Sequence, residues 1–232
     1  MTDRKVVLIS GAGRGIGASA AKVFAQQGWS VSLGMRRPAL PEWALDDVHQ
    51  AVAYDATDGR SAGAWVDEAM SRFGRIDAVV ANAGIMIPKT VIEADDEDFD
   101  ALLTVNVKAP RQLVKAAWEP LAASGRGRVV IVGSLSGKRV KSARSGSYSV
   151  SKFAAVALAH AIRHAGFERG IRATAVCPGF VATDMARGLT DRGDAAMTSP
   201  DDLARIIAML VSLPNEASVA EFAVNCQLEE SF

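Results

Sequence analysis

The chain has 232 residues, of which 49% are hydrophobic, enough apolar mass for one large core or two small ones. Its 26 basic and 26 acidic side chains cancel to a formal net charge of zero, so nothing in the overall charge draws it to nucleic acid or to an anionic membrane surface. Two cysteines are too few for a disulfide framework, the first apolar run is about half a signal-peptide core, and no stretch approaches the ~18 apolar residues of a membrane span; together these predict a soluble, cytoplasmic protein.

Short apolar runs alternate with longer segments of helical period. The runs cover 5–9, 30–34, 51–55, 76–81, 128–133, 171–177 and 221–225, and most are near-continuous Val, Ile, Leu and Ala. Strands buried on both faces have that composition, as in a parallel sheet covered by helices. Helical spacing marks 18–29, which stops at Gly28, and 60–74, which stops at Gly74. A long segment, 96–125, reads as one continuous or nearly continuous helix, and 149–170 as another. The segment 199–213 opens with Ser199 as N-cap and Pro200 at the first helical position. Seven strands alternating with about six helices predict an α/β fold, a single-domain, Rossmann-like, doubly wound parallel sheet over 1–232, with a cofactor half near 1–110 and a catalytic half near 111–232.

Directly behind the first run stands SGAGRGIG, residues 10–17. Glycines between a strand and a helix permit a tight turn and let backbone approach a phosphate, while the helix start offers free N–H groups and a positive dipole end. The spacing G-x-G-x-x-G fails from Gly11, because position 16 is Ile; Gly11, Gly15 and Gly17 describe the loop better.

That spacing resembles the cofactor loop of the short-chain dehydrogenase/reductase family, T-G-x-x-x-G-x-G, with Ser10 in the threonine's place. The similarity runs over nearly the whole chain. YDATD (54–58) is similar to the family's segment after the third strand, and ANAG (81–84) to its N-N-A-G motif. Ser134 in VGSLSG, Tyr148 and Lys152 in SYSVSK, and PGFVAT (178–183) complete the set. The resemblance implies an enzyme with a nicotinamide cofactor held by Gly11, Arg14, Gly15, Ile16, Gly17, Asp55, Ala56, Asn82, Ala83, Gly84, Pro178, Gly179, Val181 and Thr183, with Tyr148 and Lys152 sharing in that contact. It also implies a catalytic set of Asn106, Ser134, Tyr148 and Lys152. Ser134 stands fourteen positions before Tyr148, about one more than is usual in the family, so Ser136 is a second candidate.

The second run ends in SLGMRRP, where an NAD enzyme of this topology would carry a carboxylate for the ribose hydroxyl. Met35 stands there instead, followed by Arg36 and Arg37. A guanidinium binds a 2′-phosphate that a carboxylate would repel. By resemblance, a basic residue in the glycine loop and another after the second strand go with NADP(H); Arg14 and Arg36 fit those places, and Arg37 is a further candidate beside them.

Tyr148 and Lys152 are four apart and share one helix face. A nearby ammonium favours a phenolate, so Tyr148 is expected to act as general acid and base in interconverting a ketone or aldehyde and an alcohol, with Ser134 stabilising the charge on the substrate oxygen. By resemblance, Lys152 holds the nicotinamide ribose and Asn106 holds a water that relays protons. Alternatives are a ketoreductase of acyl-carrier thioesters and a catalytically silent NADP-sensing regulator. The basic run 138–146, with Lys138, Arg139, Lys141 and Arg144, suggests an anionic substrate. His160 and His164 read as ordinary helix residues and no metal is expected; Cys177 and Cys226 end neighbouring strands and read as buried thiols. The segment 184–200 takes the place of the family's substrate lid, with Gly188 and Gly193 as candidate hinges, and AVNCQLEESF replaces a D-G-G-like turn. Oligomerisation as a homodimer or homotetramer is expected from the family.

Overall fold

A computed structural model describes residues 3–228. Seven parallel strands form one sheet in the order β3-β2-β1-β4-β5-β6-β7. They are β1 (Val6–Ser10), β2 (Ser30–Met35), β3 (Gln50–Ala53), β4 (Ala78–Ala81), β5 (Arg128–Val132), β6 (Arg172–Pro178) and β7 (Glu221–Val224). Eight α-helices accompany them among the described residues: α1 (Gly15–Gln26), α2 (Ser61–Phe73), α3 (Asp96–Leu103), α4 (Ala109–Ala116), α5 (Trp118–Ala123), α6 (Gly146–Gly166), α7 (Asp184–Arg187) and α8 (Pro200–Ser212).

The pleat explains the apolar runs. Val6 and Leu8 point into one core with α2, α4 and α6, whereas Val7 and Ile9 point into a second core with α1 and α8. Both faces are covered, so no position of β1 is solvent-facing. Ser32 of β2 is buried among apolar neighbours, and its Oγ accepts from Trp65 Nε1 and Gln50 Nε2, both at 2.8 Å. Gly34, two residues on, leaves room for the same indole: a Cβ there would lie 2.4 Å from the Trp65 ring.

Helix ends follow the sequence signals. Gly28 and Gly74 take φ values of +82° and +75° behind α1 and α2, and Ser199 Oγ accepts from Asp201 N at 3.2 Å to cap α8. α1 begins at Gly15, three residues earlier than its apolar period suggests, because the glycine loop itself supplies the first turn. The predicted helix over 96–125 is three helices. A π-helical turn, Thr104–Lys108, separates α3 from α4, and Ala117 breaks α4 from α5. Pro110 has no N–H to give the Asn106 carbonyl four residues back, and Pro120 has none for Ala116, so α register cannot continue through either point.

The strand order reverses between β1 and β4: β1 leads outward to β2 and β3, β4 to β5, β6 and β7. A crevice opens at the carboxyl ends of the strands on either side of such a switch point. No helix among the described residues is long and apolar enough to cross a membrane.

Candidate active site

A cleft of about 1690 Å³ lies over the carboxyl ends of the sheet. The glycine loop and α1 form its floor at the switch point. Gly11 and Gly15 have φ of +67° and +55°, a conformation that suits glycine. A Cβ on Gly17 would lie 2.3 Å from the Gly11 carbonyl oxygen, so the loop closes on itself only without a side chain there. The first turn of α1 carries no acidic residue, and no side chain caps it. Its N–H groups therefore face the cleft as a cradle for an anion.

Ser10 secures this floor. Its Oγ accepts from Asn82 N at 3.0 Å and Ala83 N at 3.1 Å, tying the end of β1 to the end of β4. Asn82 Nδ2 donates back to the carbonyls of Ser10 and Gly11, at 3.1 and 3.2 Å. The hydroxyl shared with threonine is thus the part of Ser10 that the loop uses.

At one end of the cleft, past β2 and β3, stand Met35, Arg36, Arg37, Asp55 and Ala56. Asp55 accepts from Thr57 N and Oγ1, at 2.9 and 2.8 Å; these bonds, and Arg36 nearby, hold its carboxyl below the ordinary range. Arg36 and Arg37 are exposed. Arg14 lines the cleft at the glycine loop, and its Nη1 donates to Asp184 Oδ2 at 2.7 Å.

At the other end, α6 carries Tyr148 and Lys152 on one face, behind β5 and Ser134. The Ser134 hydroxyl hydrogen-bonds the Tyr148 phenol. Of the two candidate serines it is the one at the tyrosine; Ser136 lines the cleft and donates its N–H to Ser134 Oγ at 3.1 Å. Lys152, 6% exposed, donates from Nζ to the Val132 carbonyl at 2.9 Å and lies 5.7 Å from the Tyr148 ring centre. Gly84 makes room for it, since a Cβ there would lie 3.6 Å from Nζ and 3.2 Å from Asn106 Oδ1.

Burial pushes the Tyr148 phenol up to about 12, against the pull of the Ser134 hydrogen bond, and pushes the Lys152 ammonium down to about 8. The Lys152 ammonium is directed at Val132 rather than at the phenol, so its charge does not offset that rise. The Asn106 carboxamide is fully engaged. Its Oδ1 accepts from Ile85 N at 2.9 Å, and its Nδ2 donates to Ile85 O and Ser151 Oγ, both at 3.0 Å. The carboxamide braces the chain beyond β4 against α6.

Pro178, Gly179, Val181 and Thr183 line the cleft after β6. Of the basic run, Lys141 and Arg144 line it too, while Lys138 Nζ bonds the Glu221 carboxylate, which also takes His160 Nε2 at 2.6 Å. Neither Gly188 nor Gly193 adopts a glycine-only conformation, at φ −79° and −67°. Cys177 and Cys226 are free thiols, and burial pushes Cys177 up to about 11. Asp184, in the segment read as the substrate lid, lines the cleft, and so do Asn225 and Gln227 of the unusual C-terminal AVNCQLEESF. Asp184 is 170 positions from Arg14, and no local signal announces their meeting.

A phosphate cradle at a switch point, with a serine, a tyrosine and a lysine converging at the far end of one cleft, defines a protein of the dinucleotide-binding oxidoreductase class. The comparisons place it more narrowly. A model of the family described as short chain dehydrogenase matches residues 5–193, and the chain belongs to that family, whose members use nicotinamide cofactors. It is 36% identical over 228 residues to an agropine synthesis reductase of Rhizobium rhizogenes, an alignment covering 97% of this chain and 53% of the relative. The chain thus spans about half the length of that protein. Oxidoreductase UcpA of Escherichia coli K12 is 30% identical over 98% of this chain and 89% of its own. The crystal structure of gox2181 shares the fold, with a TM-score of 0.86 over 97% of this chain and 95% of that one, at 21% identity.

Proposed function

We propose that the chain is an NADP(H)-dependent oxidoreductase interconverting a ketone or aldehyde and its alcohol, with Tyr148 as general acid and base. The observation that carries this reading is the contact of Ser134 with Tyr148 above the buried Lys152, in the same cleft as the glycine loop. The cradle at α1 fits the diphosphate, and the dinucleotide, when bound, supplies or accepts the hydride. A phenol held near 12 is a neutral donor at neutral pH, the state needed to protonate an alkoxide as a carbonyl is reduced. Ser134 donates to the same oxygen. Lys152 holds the nicotinamide ribose and supports the phenolate left behind. Asn106 fixes the chain at Ile85 and α6 around them, and its backbone carbonyl, without a donor from Pro110, is the atom suited to hold a relay water.

Arg36 and Arg37 support NADP(H), because no carboxylate stands at the end of β2 to repel a 2′-phosphate. Titration with NADPH and with NADH at moderate salt tests it. NADPH is expected to bind at least ~30-fold tighter, about 2 kcal/mol, and replacing Arg36 and Arg37 by Ala should remove most of that gap. Equal or tighter binding of NADH would overturn the reading and favour alcohol oxidation with NAD. The reductive direction has support in the Rhizobium relative, which is named a reductase.

Lys141 and Arg144 on the cleft wall favour an anionic substrate. Matched acids and methyl esters test this through KM; equal values would exclude it. α6 leaves Val150 and Phe153 exposed on its outer face, which supports a homodimer or homotetramer built on that helix, to be read by sedimentation.

A further inference from the structure

The contact between Arg14 and Asp184 joins the two lips of the cleft. Arg14 stands at the N-cap of α1, in the glycine loop; Asp184 opens α7, just past β6. The lips approach closely one residue away, where a Cβ on Gly15 would lie 3.1 Å from Thr183 Cγ2. Behind Asp184 the charges continue. Its second oxygen, Oδ1, accepts from Arg187 Nη1 at 2.9 Å, and Arg187 forks onto Asp194, with Nε to Oδ1 at 3.0 Å and Nη2 to Oδ2 at 2.7 Å. The order Arg14–Asp184–Arg187–Asp194 alternates in sign from the glycine loop through α7 to the segment beyond it. A two-pronged arginine–carboxylate pair anchors the outer end, which makes this a network rather than a lone pair.

We propose that the Arg14–Asp184 bridge is a latch across the diphosphate site, and that Arg14 serves cofactor retention by holding Asp184 rather than by reading the 2′-phosphate. This rests on the reading of the cleft as a dinucleotide site, which places the diphosphate at the first turn of α1, between the two lips. A dinucleotide leaving the cleft has to part Arg14 from Asp184. The carboxylate also neutralises the guanidinium, so the positive charge left for the 2′-phosphate is that of Arg36 and Arg37. Both partners are well exposed, 76% and 58% for their side chains, so the latch is weak and reversible, as turnover requires.

Release of prebound NADPH and, separately, NADH, followed by stopped-flow fluorescence, tests the latch. Arg14→Ala and Asp184→Asn are each expected to speed release of both cofactors by the same factor, about two- to fivefold for an exposed ion pair. Combining them should add nothing further. Asp184→Glu, which keeps the carboxylate that both arginines use, should release both cofactors nearly as slowly as the wild type, which a loss of charge at that position would not allow. High salt should narrow the difference between the wild type and the single variants. Faster release of NADPH alone from Arg14→Ala, with Asp184→Asn unchanged, would show that Arg14 reads the 2′-phosphate and would overturn the latch. Unchanged release of both cofactors from both variants would overturn it as well. Failure of the wild type to bind either dinucleotide would overturn the reading of the cleft and the latch together, before any variant is made; a preference for NADH would overturn only the NADP(H) assignment.

Discussion

Burial acts on Tyr148 and Lys152 of α6 in opposite directions, because it always disfavours the charged form. Tyr148 is kept a phenol and Lys152 becomes easier to deprotonate. Tyr148→Phe should lower turnover by about 10²–10⁴-fold, the usual contribution of a positioned proton donor, while cofactor affinity stays within a factor of about two; retained turnover would show that the proton comes from elsewhere. For carbonyl reduction, kcat/KM should hold below pH 8 and decline above it as Lys152, near 8, loses its charge. A profile flat to pH 10 would show that the ammonium is not needed. At this scale the shared helix face of Tyr148 and Lys152 was legible, because a four-residue spacing is local. Ser134 rather than Ser136 followed from the resemblance of GSLSG to the family's strand end, and it is the serine that bonds Tyr148.

Strands and helix ends were read from local patterns, and the one large departure has a local cause as well. Pro110 and Pro120 interrupt an apolar period that is otherwise continuous, and the resulting π-helical turn carries Asn106 toward Ile85 and Ser151. β2 shows the opposite case, in which two residues are explained by a third that is distant in sequence. Ser32 and Gly34 look weak in a strand, yet Ser32 accepts from the indole N–H of Trp65 and Gly34 gives space to its ring. Gly34→Ala should therefore destabilise the protein by about 1–3 kcal/mol, the usual cost of overpacking a core, read as a lowered Tm. Adding Trp65→Phe should recover part of the loss; a loss at Gly34 that simply adds to that of Trp65→Phe would show that the clash is not its cause.

The pH dependence of stability belongs to the molecule as a whole. His49 is buried, its Nδ1 accepts from Val31 N at 3.2 Å, and burial, with Arg4 beside it, lowers its pKa. Below about pH 6.5 the unfolded chain then binds a proton that the folded one resists, so stability falls on acidification. His49→Asn keeps an acceptor, does not titrate, and should flatten that limb in urea melts. Lys152 acts with the same sign in the alkaline range. Its pKa falls from 10.5 to about 8, so between those values the unfolded state holds more protons and stability rises with pH. Cys177, raised to about 11, and Tyr54 and Tyr148, raised to about 12, act in the other direction from pH 9 and pH 10 upward. The difference in stability between wild type and Lys152→Met isolates the lysine, and should change in favour of the wild type by about 3 kcal/mol across pH 8 to 10.5. No such change would mean that Lys152 is not buried as a cation.

The sequence by itself determined the class of fold, the order of strands and helices along the chain, the glycine loop and the serine, tyrosine and lysine of the site. Those features are written in runs, periods and short spacings, and interactions within a few residues suffice to specify them. Only the tertiary structure decided that Arg14 meets Asp184, that Lys138 and His160 share Glu221, that Asn225 and Gln227 reach the cleft, and that Lys152 is buried against the Val132 carbonyl. The physical reason is common to all four. Charge pairing and desolvation depend on what the fold brings within a few ångströms, and here the partners are separated by tens to well over a hundred residues or are the solvent-excluding core itself.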